Sequence, residues 1–339
     1  MRDTAALRLV PSSMLPIETV ARFLGSSVAA GVFRRSESPA YYRWLLSPPP
    51  GMEAISFCAV EGERIAGSLT AVVRPLVVAG DVQLSAKLEE MKTDPRDRGR
   101  GVISLLFGAV KEACLARGVR ILLAGPTSPF SYPIFVKRFG FTAPFTLESS
   151  ICLLRLPAGP HGLPLRLGSR GPGPELERCE QLTEEAFELA ERVSRSASVA
   201  TLRSRPYLHW RYETHPDAYE ILMARDAGRP SGLAVCKQTR QRNLSLLTVV
   251  ELLAETPRQE LALLVRVARR AVALGVADVL TAWRPTRLSR LALALRGWLP
   301  RPARTRIVSW IDPSLPASLH ALLLRREAWQ LSAGDFFDI

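Results

Sequence analysis

Lysine is scarce in this chain, although the chain is strongly basic. Only five of its 45 basic residues are lysines, and the formal net charge is +13. The arginines are spread over both halves, without a basic tail or a dense run interleaved with aromatic residues. This pattern argues against a general nucleic-acid-binding protein, whereas a basic groove for an anionic ligand is compatible with it.

Paired cysteines, metal-binding clusters and long apolar runs are also missing. The five cysteines are odd in number and never spaced CxxC, which argues against a disulfide framework or a zinc knuckle. His209 and His215 are six residues apart and off a common helical face, so we expect no metal site. No run of about 18 apolar residues is free of charge, which argues against a membrane span and a signal peptide. We therefore expect a cytoplasmic protein.

The length of the chain, 339 residues with 47% hydrophobic content, favours two domains rather than one. The segment 157–174, PAGPHGLPLRLGSRGPGP, is rich in proline and glycine, which sustain neither helices nor strands. We predict an N-terminal domain over residues 1–156, a linker over 157–174 and a C-terminal domain over 175–339.

Two stretches of the sequence look like copies of one another. YYRWLLSPPP begins at Tyr41 and YLHWRYETHP begins at Tyr207, with Trp44 and Trp210 at the same place in each. Further along, EACLARGVRILLAG matches RRAVALGVADVLTAW. Self-similarity of this kind, with loops of differing length, predicts a duplicated structural unit.

The first unit has a clear order of elements. Two β-rich runs flank the turn Glu61-Gly62-Glu63 and predict a hairpin, and VQLSAKLEEMKT alternates apolar and polar residues as a half-buried strand does. ISLLFGAVKEACLARG has helical spacing and stops at Gly118, and VRILLAG is typical of a buried strand. SYPIFVKRFGF predicts a short helix that Gly140 ends.

The stretch TDPRDRGRGVISLLF concentrates the chemistry. A strand that runs through RGRG directly into a helix points backbone N–H groups and the positive end of the helix dipole at one spot. Gly99 and Gly101 permit a close approach of the backbone to an anion. The stretch is neither a Walker loop nor a GxGxxG fingerprint. We interpret it as a phosphate-binding loop.

With this loop and the later Gly140-Phe141 turn, the sequence resembles the GNAT acyltransferase superfamily. The tandem layout, the WRY motif at Trp210 and the closing WQLSAGD resemble bacterial two-repeat GNAT proteins associated with cell-surface polysaccharide or lipid modification. The resemblance implies an α/β (α+β) fold of two GNAT-like repeats, each a mixed, largely antiparallel sheet flanked by helices. It also implies acetyl-CoA or another acyl-CoA as the donor. The diphosphate of the donor would lie on Arg98, Gly99, Arg100, Gly101, Val102 and Ile103, and the pantetheine arm beside Met91, Lys92 and Thr93.

The position where the family usually places a tyrosine acid holds Val136 in this sequence. Tyr132 lies one helical turn earlier and offers a phenol from the same face. Glu89 and Glu90, near the end of the central strand, are the candidate general bases, and we prefer Glu90. Strand side chains alternate, so only one of the two faces the cleft.

The second unit has lost the glycines of the loop. Its equivalent stretch, ETPRQELALL, keeps Pro257 but carries Glu255 and Glu260, whose charges would repel a diphosphate. We expect this copy to be degenerate, to bind no coenzyme A, and to wall the acceptor cleft with Trp210 and Tyr212.

The sequence therefore predicts an acyltransferase that moves an acyl group from acyl-CoA to an amine or hydroxyl of a small-molecule, sugar or lipid acceptor, without a metal. Two alternatives stay open at this point. One is a tandem transferase that takes its aminoacyl group from charged tRNA, which the positive charge would suit. The other is a non-catalytic binding protein that kept the fold.

Overall fold

The computed structural model describes residues 7–25, 38–127, 129–154, 175–241, 243–283, 290–295 and 297–336. The predicted linker, 157–174, lies outside the described residues. None of the described helices is long and apolar enough to span a membrane.

The described residues of the first half form six strands and four α-helices, several of which have visible start and stop signals. Ser38 caps one helix with its side chain ahead of Pro39, and Gly118, at φ 77°, follows the end of another. The elements, in chain order, are β1 (Arg8–Pro11), α1 (Ile17–Gly25), α2 (Pro39–Leu46), β2 (Glu53–Glu61), β3 (Arg64–Val78), β4 (Asp81–Thr93), α3 (Val102–Ala116), β5 (Ile121–Thr127), α4 (Ser131–Pro133), which continues as a π-helix to Arg138, and β6 (Thr142–Leu153).

The second half repeats much of this order. Its elements are β7 (Glu175–Cys179), α5 (Glu184–Ser196), β8 (Val199–Thr201), α6 (Arg205–Leu208), which continues as a π-helix to Glu213, β9 (Glu220–Asp226), β10 (Arg229–Gln241), β11 (Leu244–Leu253), α7 (Pro257–Leu274), β12 (Val279–Trp283), α8 (Arg290–Ala294), β13 (Trp298–Ile311), α9 (Ala317–Leu323) and β14 (Trp329–Gln330). That this order arose by duplication of a GNAT unit stays a prediction.

The described strands form one mixed sheet rather than two separate sheets. The order along it is β1-β2-β3-β4-β5-β13-β6-β12-β11-β10-β9-β7, and β8 pairs with both β3 and β14. The last long strand of each half therefore pairs with a strand of the other half: β13 pairs with β5, and β6 pairs with β12. The mixed sheet flanked by helices that the sequence predicts is confirmed, and this strand exchange joins the two halves.

Helices cover both faces of the sheet. On one face α3 packs over the first half, with Leu106 and Val110 fully buried, and α7 packs over the second half. On the other face α1, α2, α5 and α6 share one apolar cluster that runs across both halves. Trp44 and Trp210 lie in this shared cluster, so the two matching tryptophan motifs meet in the core between the halves.

Candidate active site

Strands β4 and β5 diverge at their carboxyl ends. They are parallel neighbours, and their pairing runs from Ser85 with Ile121 to Leu88 with Ala124. Among the described residues no β4–β5 pair follows, although β4 continues to Thr93 and β5 to Thr127. The backbone groups beyond Leu88 are thereby released from the β4–β5 ladder, and the space between the two strand ends is called the β4–β5 cleft below.

A bulge bends β4 at this point. Thr70 of β3 pairs with Glu89, and Ser68 pairs with Lys92, so two residues of β4 lie opposite one of β3. Glu90, the first of the two, has φ 53°, a left-handed conformation that costs a non-glycine residue about 1 kcal/mol. The fold keeps this strain at an almost fully buried acidic residue beside the cleft.

The loop between β4 and α3 leaves the first backbone donors of the helix open. Gly99 (φ 83°) and Gly101 (φ 81°) are both left-handed, and an added Cβ at either would meet nothing within 4 Å. The N–H groups of Ser104 and Leu105 donate to the carbonyl of Gly101, which are the first bonds of α3. Gly101 is the N-cap and has no side chain. It therefore cannot cap the N–H groups of Val102 and Ile103, the first two residues of the helix. The residues predicted to hold a diphosphate thus surround open space at a helix N-terminus.

Ion pairs fix the base of this loop. Asp97 is buried and accepts hydrogen bonds from Arg64 and Arg100, which lower its pKa. Arg100 also donates to Glu61 over 2.8 Å, so its charge is largely used within the protein. Arg98, by contrast, is exposed and forms no ion pair within the described part of the chain. Its charge is therefore free to meet an anion.

The side chain of Lys92 points to a helix end. Its Nζ donates to the carbonyls of Phe23 and Leu24 at the C-terminus of α1, and it lies 4.7 Å from the centre of the Phe23 ring. Burial lowers the pKa of this ammonium. Lys92 thus stabilises α1 with its side chain. The predicted contact of Met91, Lys92 and Thr93 with a pantetheine arm would therefore involve the backbone of Lys92.

The two candidate bases differ in their surroundings. Glu89 forms an ion pair with Lys87, two positions earlier on the same face of β4, and both side chains are buried. The Nζ of Lys87 also lies 5.1 Å from the centre of the Phe336 ring. The backbone conformation of the bulge sets the orientation of the Glu90 side chain. The assignment of the general base to either residue stays a prediction.

Tyr132 lies at the same edge of the sheet, on the short helix that follows β5. It is half-buried beside the α3 core. The guanidinium of Arg306 lies 4.5 Å from the centre of its ring. Arg306 comes from β13, where it pairs with Thr127 at the end of β5. Sequence reasoning missed Arg306, since only the strand exchange brings it here.

The corresponding helix of the second half, α7, closes its own N-terminus. Thr256 accepts a hydrogen bond from the N–H of Gln259, and the Gln259 side chain accepts from the N–H of Thr256. Three residues separate β11 from α7, whereas the first half has the longer glycine loop. Glu255 at this turn pairs with Arg192 at 2.7 Å. An anion would find no glycine cradle here, and the degeneration of this half from a donor-binding copy stays a prediction.

Trp210 and Tyr212, predicted to contact an acceptor, are both buried in the core that joins the halves. Trp210 stacks on Trp44, and the hydroxyl of Tyr212 donates to Glu251 over 2.8 Å. These contacts favour a structural role, and their part in acceptor binding stays a prediction. Across the described residues no group of three His, Cys, Asp or Glu side chains is arranged to hold a metal ion.

Residues 26–143 match the family described as the acetyltransferase (GNAT) domain. The matched segment contains the glycine loop, the bulged strand β4, the cleft beside β5 and Tyr132. This part of the chain is a GNAT domain. A search among curated proteins found no match to the sequence.

Solved structures resemble the fold well beyond the GNAT domain. A GCN5-related N-acetyltransferase from Anabaena variabilis matches with a TM-score of 0.68 at 13% identity, over 90% of this chain and 73% of that one. A probable N-acyltransferase from Enterococcus faecalis gives 0.64 at 13% identity, over 90% and 72%. Saccharomyces cerevisiae N-myristoyltransferase with bound myristoyl-CoA gives 0.62 at 11% identity, over 94% and 86%. At these identities the likeness concerns the fold.

Proposed function

We propose that this GNAT protein moves an acyl group from acyl-CoA to an amine or hydroxyl of a small-molecule, sugar or lipid acceptor. The observation that carries the proposal is the open N-terminus of α3, where Gly99 and Gly101 are left-handed and face empty space beside the β4–β5 cleft. The myristoyl-CoA bound to the similar yeast transferase supports a thioester of coenzyme A as the donor.

In this proposal the donor is held mainly by backbone groups. The N–H groups of Gly99, Gly101, Val102 and Ile103 and the free charge of Arg98 bind the diphosphate, whereas the N–H of Arg100 donates to the carbonyl of Asp97. Met91 to Thr93 line the pantetheine arm along the bulged end of β4. The glycine conformations fit such a ligand, since a side chain at either position would occupy the space that the phosphates need.

The transfer itself requires only positioning and proton movement. Glu90 takes the proton of the acceptor amine or hydroxyl, with Glu89 as the other candidate, and Tyr132 donates a proton toward the leaving sulfur. The divergence of β4 and β5 exposes backbone groups to the thioester, which are the kind of donors that stabilise a developing oxyanion.

Calorimetric titration with coenzyme A tests the proposal on three proteins: wild type, Gly101→Glu and Gly118→Glu. The control glycine, Gly118, lies at the other end of α3, has φ 77° and also faces open space, so both variants carry the same kind of backbone strain. We expect one site in the wild type, loss of binding in Gly101→Glu and retention in Gly118→Glu.

A wild-type protein that binds no coenzyme A would contradict the proposal. Binding of charged tRNA with a steep salt dependence would then favour the aminoacyl-tRNA-dependent transferase. Binding of coenzyme A without any turnover over a panel of amine, sugar and lipid acceptors would favour the non-catalytic protein.

A further inference from the structure

Strand β13 brings a residue of the second half to the carboxyl end of β5 in the first half. It lies between β5 and β6, and its register places Arg306 beside Thr127 and Ser309 beside Leu123. The hydroxyl of Thr127 donates to the carbonyl of Arg306 over 3.1 Å. The backbone of Arg306 is thus held at the point where β5 ends and α4 begins.

The two strands approach closely at this point. A Cβ added at Gly125 would lie 2.5 Å from Cδ1 of Ile307, so β5 has a glycine where the next residue of β13 presses against it. The position of β13 along β5 is therefore specified locally, and so is the place where the Arg306 side chain leaves the sheet.

Among the described residues, the side chain of Arg306 has an aromatic partner and no acidic one. Its guanidinium lies over the ring of Tyr132, 4.5 Å from the centroid, and the residue is exposed. In the part of the chain that the structure describes, no carboxylate forms an ion pair with it. A cation held on an aromatic face without a counter-ion keeps its charge available to a ligand.

We propose that Arg306 is a catalytic residue that the second half supplies to the GNAT domain, and that it places its positive charge beside the thiol sulfur of the donor. The inference rests on the proposed function. It gives the second half a chemical role in addition to its structural one.

The charge suits the bond changes of the transfer. The nitrogen or oxygen of the acceptor forms a bond to the acyl carbon, and the carbon–sulfur bond breaks with its electron pair on sulfur. The acceptor proton goes to the glutamate base, and the sulfur takes a proton from the Tyr132 hydroxyl, which is replenished from water. A guanidinium near the sulfur favours the negative charge that develops there. Arg306 and Tyr132 would thus act on the same atom.

Ionisation of bound coenzyme A tests the inference without measuring turnover. The ultraviolet absorbance of the thiolate is followed across pH with coenzyme A bound to wild type and to Arg306→Met. An opposite charge within about 4–6 Å lowers an acid's pKa by about 1–3 units, so we expect the bound thiol to ionise at least about one pH unit lower in the wild type than in the variant. Arg306→Lys should lie between them.

Two controls separate charge from structure. Arg240→Met removes an exposed arginine from β10 and should titrate like the wild type. Tyr132→Phe keeps the ring that holds Arg306, so in this background Arg306→Met should still raise the pH at which the bound thiol ionises. Desulfo-coenzyme A, which lacks the thiol, should bind wild type and Arg306→Met equally well.

Identical thiol titrations in wild type and Arg306→Met would overturn the inference, as would an effect of Arg306→Met confined to the KM of the acceptor, which would assign Arg306 to acceptor binding. A wild-type protein without affinity for coenzyme A would instead refute the proposed function, and this inference with it.

Discussion

Trp44 and Trp210 stack on one another with their ring centroids 4.3 Å apart and their planes 10° apart. The indole N–H of Trp44 donates to the carbonyl of Trp210 over 2.8 Å, and that of Trp210 donates to the carbonyl of Trp44 over 3.1 Å. The same motif in each half thus binds its counterpart in the other by the same contacts. This reciprocity gives the tryptophan of each stretch the same structural role.

We expect Trp44→Phe and Trp210→Phe each to lower the free energy of unfolding by roughly 2 kcal/mol, because each removes a buried hydrogen bond and part of a stacked ring pair. Urea denaturation of both single variants and the double variant should give a coupling energy of at least about 0.5 kcal/mol. Trp310→Phe is the control, since this half-buried ring lies under Lys111 away from the joint. Strictly additive losses would contradict the reciprocal contact.

Local signals in the sequence predicted the local parts of this site well. Gly99, Gly101 and the helical spacing that follows them specify a turn into a helix whatever the rest of the chain does, and the structure has that turn. The exchange of β6 and β13 has no such signal, because the pairing of strands far apart in sequence depends on the whole sheet. For that reason Arg306 was missed as a partner of Tyr132.

The tryptophan motifs show a second limit of prediction from the sequence. The sequence predicts that Trp210 and Tyr212 contact an acceptor, but an apolar aromatic face is equally suited to a core, and the choice depends on the arrangement of the halves. In the structure the arrangement buries both rings.

A buried ionic cluster ties the C-terminal segment to both halves. Asp335 accepts a hydrogen bond from Arg203 over 2.7 Å, Arg203 also bonds to Glu251 of β11, and Arg74 of β3 donates to the Asp335 carbonyl. Burial alone would raise the pKa of Asp335, but the charges of Arg203 and Arg74 outweigh it and lower the pKa below its ordinary value.

A lowered pKa in the folded state means that Asp335 stabilises the protein above about pH 4, the ordinary value, and that this stabilisation is lost as the pH falls through the folded value. Asp335→Asn should lower the free energy of unfolding at pH 7 by about 3–5 kcal/mol, since it leaves buried arginine charge uncompensated. Between pH 5 and pH 3 the Asp335→Asn variant should also lose less stability than the wild type does. Urea denaturation at these pH values measures both effects, with exposed Asp81→Asn as the control. Equal acid sensitivity in Asp335→Asn and wild type would contradict this account.

The strand exchange predicts that neither half folds independently of the other. A fragment of residues 1–156 would leave β5 without β13 and β6 without either neighbour, and the unpaired edges would favour aggregation. Co-expression of 1–156 with 157–339 should yield a soluble complex, which size-exclusion chromatography and circular dichroism would detect. A folded, monomeric 1–156 fragment would show that the exchange is dispensable and would support independent domains.

The self-capped turn of the second half predicts that it does not bind the donor. Arg258→Ala with Gln259→Glu preserves the capping box, because glutamate serves at that helix position as glutamine does. Calorimetry should show donor affinity within about threefold of wild type, which is about 0.7 kcal/mol. Two donor sites per chain, or one site that survives Gly101→Glu and is lost in this double variant, would make the second half the donor-binding copy.

The surroundings of Glu89 and Glu90 predict opposite outcomes for their amide variants. Glu90→Gln keeps the shape of the side chain at the bulge but cannot accept a proton, so kcat should fall by about 10²–10⁴-fold while coenzyme A still binds. Glu89→Gln leaves the buried ammonium of Lys87 without its charged partner and should mainly destabilise the fold, by about 3–5 kcal/mol.

Replacing both members of the buried pair separates stability from catalysis. Lys87→Met with Glu89→Leu removes the two charges together, and apolar residues of similar volume often replace a buried ion pair at little cost. We expect this double variant to fold and to retain turnover, because Glu90, the preferred base, is still present. Turnover of each variant is measured with coenzyme A binding as the control for an intact donor site. If Glu90→Gln stayed active and the folded double variant were inactive, the proton would go to Glu89, and the left-handed bulge would serve to shape the cleft rather than to aim the base.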